Sequence, residues 1–173
     1  MSIAVYSAQQ TQQLFDLFSA MTDYYAGDPA RINHFVKVHA YARQIGLAEQ
    51  LDADTLFLLE AAALMHDIGI REAERLYGQC GGKPQERLGP PEAQKMLDSL
   101  GFAPDVTERV CFLIAHHHTL DGVDGLDWRI LLEADFLVNM IEEGMKAGAI
   151  QCGREKIFRT EMGLRPVSYT HLT

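Results

Sequence analysis

The chain is short of positive charge: 15 Lys and Arg stand against 24 Asp and Glu, a formal charge of -9. A surface that neutralises a nucleic-acid backbone needs a basic stripe, so a nucleic-acid polymer is excluded as the main partner. A small phosphorylated compound, which needs only one local cation or a metal, is not. Cysteine is scarce as well. Cys80, Cys111 and Cys152 form no CxxC pair, which excludes a zinc knuckle and a disulfide framework and suits reduced thiols in the cytoplasm. No apolar run approaches the ~18 residues of a membrane span, so no membrane partner is expected. The opening MSIAVYSAQQTQQ lacks the basic region and apolar core of a signal peptide. Strand-like alternation is missing throughout. What remains is ordinary: 173 residues, 47% apolar and 23% charged, enough for a single domain with its own core.

Apolar residues recur at helical spacing along nearly the whole chain. Leu14, Leu17, Phe18 and Met21 predict a first helix over about residues 8–25. Asp28-Pro29 joins an N-cap to a proline at the first helical position and opens a second, which Gly46 closes. Asp52 or Asp54 caps a third, DTLFLLEAAALMHD, apolar on almost every side and therefore buried, running to Gly69. Residues 70–89 are polar and rich in glycine, and read as a long irregular loop of the kind that walls a site. Pro90-Pro91 open a helix to Leu100, and Pro104 opens one whose inward stripe is Val106, Val110, Leu113, Ile114 and His117. DGVDG breaks the chain before WRILLEADFLVNMIEEGM, and a last amphipathic stretch covers about residues 154–164. The expected fold is all-α, one compact domain of about seven helices over residues 1–165. Pro166 then breaks the pattern. Residues 166–173 are expected to be an unstructured or non-native tail, removable without loss of stability, and His171 is set aside with them.

The chemistry-bearing residues sit where apolar helices end. His66-Asp67, in LMHDIG, places an imidazole beside a carboxylate at the end of a buried helix. An unpaired buried carboxylate costs several kcal/mol, so the pattern asks for a cation there. Asp135 lies among Leu131, Leu132 and Val138 and makes the same demand; His34 shares a face with Val38, Tyr41 and Ile45. Four candidate ligands, His34, His66, Asp67 and Asp135, therefore come from three helices. Mixed nitrogen and oxygen donors suit Mn, Fe, Co, Ni or Zn better than Mg or Ca. In the run His116-His117-His118, His117 lies on the inward stripe; His116 and His117 are taken as site residues and His118 as a helix-end cap. His39 lies roughly 140° around the helix from His34, outside the ligand set, so its replacement is expected to be mild. Lys37 shares the His34 surface, whereas Arg71 and Lys83 are weaker phosphate-binding candidates.

RINHFVKVHAYA, LMHDIG, CFLIAHHH and EADFLV, in this order and spacing, resemble the HD-domain superfamily of metal-dependent phosphohydrolases over about residues 28–145. The resemblance implies that His34, His66, Asp67 and Asp135 ligate a divalent transition metal. It implies that Asp67 orients an attacking water, that His116 or His117 meets the phosphoryl or leaving oxygen, and that Lys37 meets a substrate phosphate. The family's two-metal branch carries a further histidine between the doublet and the later pair. This chain has none between His66 and His116, so one metal is expected; Glu86 or Glu92 would have to serve a second or simply wall the site. No Glu-Asp pair follows the doublet as in alarmone hydrolases, and no GYP triplet follows the histidine run as in cyclic-dinucleotide phosphodiesterases. The expected activity is hydrolysis of a small phosphate ester, plausibly a nucleotide. The alternatives are a non-catalytic regulatory module of the same fold and a di-iron oxygenase.

Overall fold

The computed structural model describes residues 5–78 and 81–169. Nine helices and no strand are found among them: α1 Ala8–Tyr24, α2 Pro29–Ala48, α3 Ala53–Met65, α4 Gly69–Tyr77, α5 Gly82–Ser99, α6 Pro104–His116, α7 Leu126–Glu142, α8 Ala147–Ile157 and α9 Glu161–Tyr169. The starts follow from local chemistry. Ser7 and Gln10 form a reciprocal capping box on α1, the Asp28 side chain accepts from the Arg31 amide, and the Asp52 side chain accepts from the Thr55 amide.

α3 is the centre of the fold. Apolar on all sides, it packs against α1, α2, α6 and α7, and Leu56, Leu59, Leu64 and Met65 are fully buried. Each such side chain contributes about 1.5–3 kcal/mol, so this packing fixes where α3 ends and hence where His66-Asp67 emerges. No helix among the described residues is long and apolar enough to cross a membrane.

Three expectations need correcting. Residues 70–89 are not an irregular loop: α4 fills 69–77, and α5 begins at Gly82 and runs through Pro90 and Pro91. Helix packing accounts for two glycines at this crossing. A Cβ on Gly69 would fall 2.5 Å from the Gln85 carbonyl oxygen, and one on Gly89 would fall 2.6 Å from Ile114 Cγ2. Close helix crossing and turn formation both select glycine, and sequence alone does not separate them. The stretch at 154–164 falls across two helices, α8 and α9, which together with α4 brings the count among the described residues to nine, still close to the expected seven.

The tail is the third. Residues 166–169 continue α9, and Val167 is completely buried. The buried Glu133 carboxylate accepts from the amides of Arg159 and Thr160, at 2.7 and 3.1 Å, and from the Thr160 hydroxyl. The Thr160 hydroxyl caps α9 by accepting from the Gly163 amide at 3.0 Å, and the acid from α7 pins that cap in place, a long-range contact that local periodicity does not register. Residues 170–173, His171 among them, lie outside the described residues, as does Cys80.

Candidate metal centre

His34 enters from α2, His66-Asp67 from the turn between α3 and α4, His117 from the end of α6, and Asp135 from the middle of α7. The doublet's turn is clamped from outside by α1: the Tyr25 hydroxyl donates to the Asp67 carbonyl at 2.7 Å, and the Tyr24 hydroxyl to that of Ile68 at 3.2 Å. These tyrosines escape sequence reading because they act through main-chain oxygens.

The donor atoms converge. His34 Nε2 and His66 Nε2 lie 3.1 Å apart. Asp67 Oδ2 is 3.5 Å from both, and Asp135 Oδ1 is 3.3 Å from His34 and 3.5 Å from His66. Adjacent donors sharing one ion at ~2.0–2.2 Å stand ~3.0–3.6 Å apart, so these separations fit a single transition-metal ion. His34, His66 and Asp67 form one group able to hold a metal; Asp67, His117 and His118 form another.

The tautomers agree with that fit. A carbonyl oxygen only accepts, so the bond from His66 Nδ1 to Ala63 O at 2.9 Å, like that from His117 Nδ1 to Ile114 O at 2.7 Å, puts the proton on Nδ1. His34 Nδ1 likewise donates to Glu142 Oε2 at 2.8 Å. All three rings thus aim Nε2 at the centre, each oriented by an oxygen behind it, as metal-ligating imidazoles are. His117 Nε2 is buried without a hydrogen bond, 3.5 Å from Asp67 Oδ1.

Charge in the cluster is tightly coupled. Burial alone would depress the His34 pKa, but the Asp135 hydrogen bond, the Asp67 charge and Glu142 outweigh it and raise it to about 9. His66 is raised despite its burial, by Asp67 and Asp135. Burial would raise both acids; His66 and His117 instead hold Asp67 low, at about 2, and His34 and His66 hold Asp135 lower still. With no metal bound, the imidazoles carry the cationic charge that offsets the carboxylates. His118 moves the other way, its pKa lowered by burial and by its neighbour His117.

Several expected site residues stand elsewhere. Lys37 Nζ lies 2.7 Å from Glu142 Oε1 and does not line the pocket over the cluster. Arg31, held by Glu74 and Asp28, is the one Lys or Arg among the described residues that does. His116 turns away, donating from Nδ1 to the Phe112 carbonyl and stacking on the Phe112 ring at 4.3 Å. His118, expected as a cap, lines the pocket instead and bonds Gln85 Oε1 at 3.0 Å. Glu86 accepts from the His118 amide and the Thr119 hydroxyl, and lies outside both donor groups and outside the lining of the two cavities beside them. Glu92 pairs with Lys95 and lies outside both donor groups. Arg71 donates to the Tyr24 carbonyl, and His39 bonds the buried Glu60. Glu142, which orients His34, was missed; it lies one turn beyond Val138 with an ordinary surface-acid pattern.

Comparison with known proteins agrees with this geometry. No curated protein matches the chain. A crystal structure of a predicted HD superfamily hydrolase from an uncultured Thermotogales bacterium is similar to it, with 29% identity and a TM-score of 0.60, covering 92% of this chain and 83% of that one. The family model for the HD domain matches residues 31–140, well over half of the sequence and the whole of the ligand cluster. The chain belongs to the HD-domain family.

Proposed function

We propose that the protein is a metal-dependent phosphohydrolase that cleaves a small phosphate ester, with nucleotides as the leading substrate class. The observation that carries this reading is the approach of His34 Nε2 to His66 Nε2 at 3.1 Å beside two carboxylates. Both rings have committed their Nδ1 protons outward, so the two Nε2 atoms and the two carboxylates enclose a volume that calls for positive charge, supplied by protons on the imidazoles or, better matched to four converging donors, by one metal ion. His34, His66, Asp67 and Asp135 would hold that cation, and Mn, Fe, Co, Ni and Zn suit the donors. Bound there, the ion supplies Lewis-acid polarisation of a phosphoryl oxygen and lowers the pKa of water.

The chain's own residues supply the rest. Asp67 Oδ1, the oxygen facing His117, orients the attacking water. His117 acts at Nε2, which donates to a phosphoryl or leaving oxygen once protonated. Arg31, oriented by Asp28 and Glu74 and lining the pocket where Lys37 does not, meets the phosphate in the role expected of Lys37. One ion is the expected occupancy: a second ion on the other donor group, Asp67, His117 and His118, would take the Nε2 that His117 uses for proton donation. The acidic balance of the chain supports a small substrate over a nucleic-acid polymer.

A panel of phosphate esters assayed with each of the five metals tests the reading. Hydrolysis should require metal, stop on chelation and vanish in Asp67→Ala. Metal-free protein with no activity in any combination, and no stoichiometric metal after purification, would overturn it in favour of a non-catalytic module.

A further inference from the structure

Two cavities flank the donor cluster, and they differ in chemistry. One, of about 270 Å³, is lined by Arg31, His34, Asp67 and Gln85; the other, of about 300 Å³, by Leu120, Leu132, Phe136, Met145 and Ile157 together with His117. His118, Asp135, Asn139 and Glu143 border both. We infer that the second cavity receives the leaving-group side of the substrate, and that it holds a single uncharged ring system of the leaving alcohol. The inference rests on the phosphohydrolase reading and adds the part of the substrate that reading leaves open.

Its direction comes from the one arginine and from the apolar wall. The first cavity contains Arg31 and the carboxylate that orients water, so the phosphoryl group faces that side. The second has no Lys or Arg among its lining residues, shares its carboxylates Asp135 and Glu143 with the first, and is otherwise walled mainly by apolar side chains, so it suits an apolar group better than a second phosphate. Its apolar walls gain from an apolar occupant, and its volume is at the small end for ligand sites. The walls are built in. Phe136 stands edge to face with Phe158 at 5.7 Å, and a Cβ at position 153 would overlap its ring, so glycine there lets the ring sit where it does. Leu120 lies at this cavity and is 38% exposed, an apolar side chain with surface left for a ligand to cover. His117 lines the same cavity with its buried Nε2 unbonded, the placement needed to protonate an oxygen leaving into it. In the balanced step, the water oxygen bonds phosphorus, the phosphorus–alcohol oxygen bond breaks, and the alcohol departs with a proton.

Non-hydrolysable phosphonates and the free alcohol separate the two readings. With Mn2+ present, phenylphosphonate should bind ~10-fold or more tightly than methylphosphonate by calorimetry, the scale expected for burying a ring in an apolar pocket. Phenol alone should shift the Met145 methyl resonance in a carbon-13 NMR spectrum. Leu120→Trp, a substitution at a partly exposed site, should fill the cavity and erase both effects while leaving methylphosphonate affinity unchanged; Ile157→Trp, at another partly buried wall position, provides a second variant. Equal affinity for the two phosphonates, with Met145 unmoved by phenol, overturns the leaving-group assignment and leaves the hydrolase reading standing. If neither phosphonate binds while phenol still moves Met145, the hydrolase reading falls and the assignment with it.

Discussion

Two anionic side chains, Glu142 and Glu60, hold histidines in place on different faces of α2, and they separate function from stability. Glu142 bridges Lys37 and His34, fixing the imidazole tautomer without touching the donor centre. Glu142→Gln should fold normally but bind Mn2+ about 10–100-fold more weakly, the usual cost of losing a partner behind a ligating imidazole. Competition against a chromogenic chelator measures this, and unchanged affinity would remove Glu142 from the site. Glu60 is structural. It is buried and bonded by His39 at 2.7 Å and by Tyr6 and Arg43, and these partners hold its pKa below the usual range although burial alone would raise it. A carboxylate depressed in the folded state contributes stability above its unfolded pKa and loses it as pH falls through its folded one. Glu60→Gln should therefore cost about 1–3 kcal/mol at pH 7 and show a shallower loss of stability below about pH 4 in urea titrations. His39→Ala, mild for catalysis by its place on the helix, should be destabilising for the same reason.

At the level of helices, sequence made the site more legible than its setting. His34, His66, Asp67 and Asp135 stand out because polar groups on apolar stripes are costly, and that cost is visible one residue at a time. The α4–α5 region did not, since Gly69 and Gly89 serve an interhelical crossing that composition cannot distinguish from a turn. His116 and His118 exchanged roles because α6 ends at His116: beyond the last turn, helical spacing no longer predicts direction. α9 was missed for a related reason. Its cap residue, Thr160, is held by Glu133, 27 residues upstream, and Val167 is the buried apolar side chain that anchors it among the described residues. Truncation after Arg165 should therefore cost about 2 kcal/mol and lower the melting temperature by about 4–8 °C. Val167→Asp should cost more than truncation, because it forces a carboxylate into the core. An unchanged melting temperature in both would restore the expectation of a dispensable tail.

Over the whole molecule, the site joins helices that otherwise have no reason to be cross-linked at one point. α2, α6, α7 and the α3–α4 turn each send a donor into the same small volume, so an ion bound there ties four parts of the chain together. Ligand binding to the folded state alone stabilises by RT ln(1 + [L]/Kd), about 2.7 kcal/mol at a hundredfold excess over Kd. For a chain of this size that corresponds to a melting temperature higher by about 5–11 °C. Removing the ion leaves Asp67 and Asp135 to the imidazoles of His34 and His66, so the metal-free protein should remain folded, with the cluster held together by protons. Calorimetry should accordingly show a lower but still cooperative transition after dialysis against a chelator, restored by a transition metal and far less by Mg2+, whose preference for oxygen ligands and water suits the two histidines poorly. The magnesium arm decides between a site built for a soft-donor-tolerant ion and a mere patch of negative charge. A purely electrostatic effect would follow ionic charge, and Mg2+ would restore the transition as well as Mn2+ or Zn2+. A built site discriminates between them, and Asp135→Asn should abolish the metal-dependent shift while the metal-free transition stays near its original temperature.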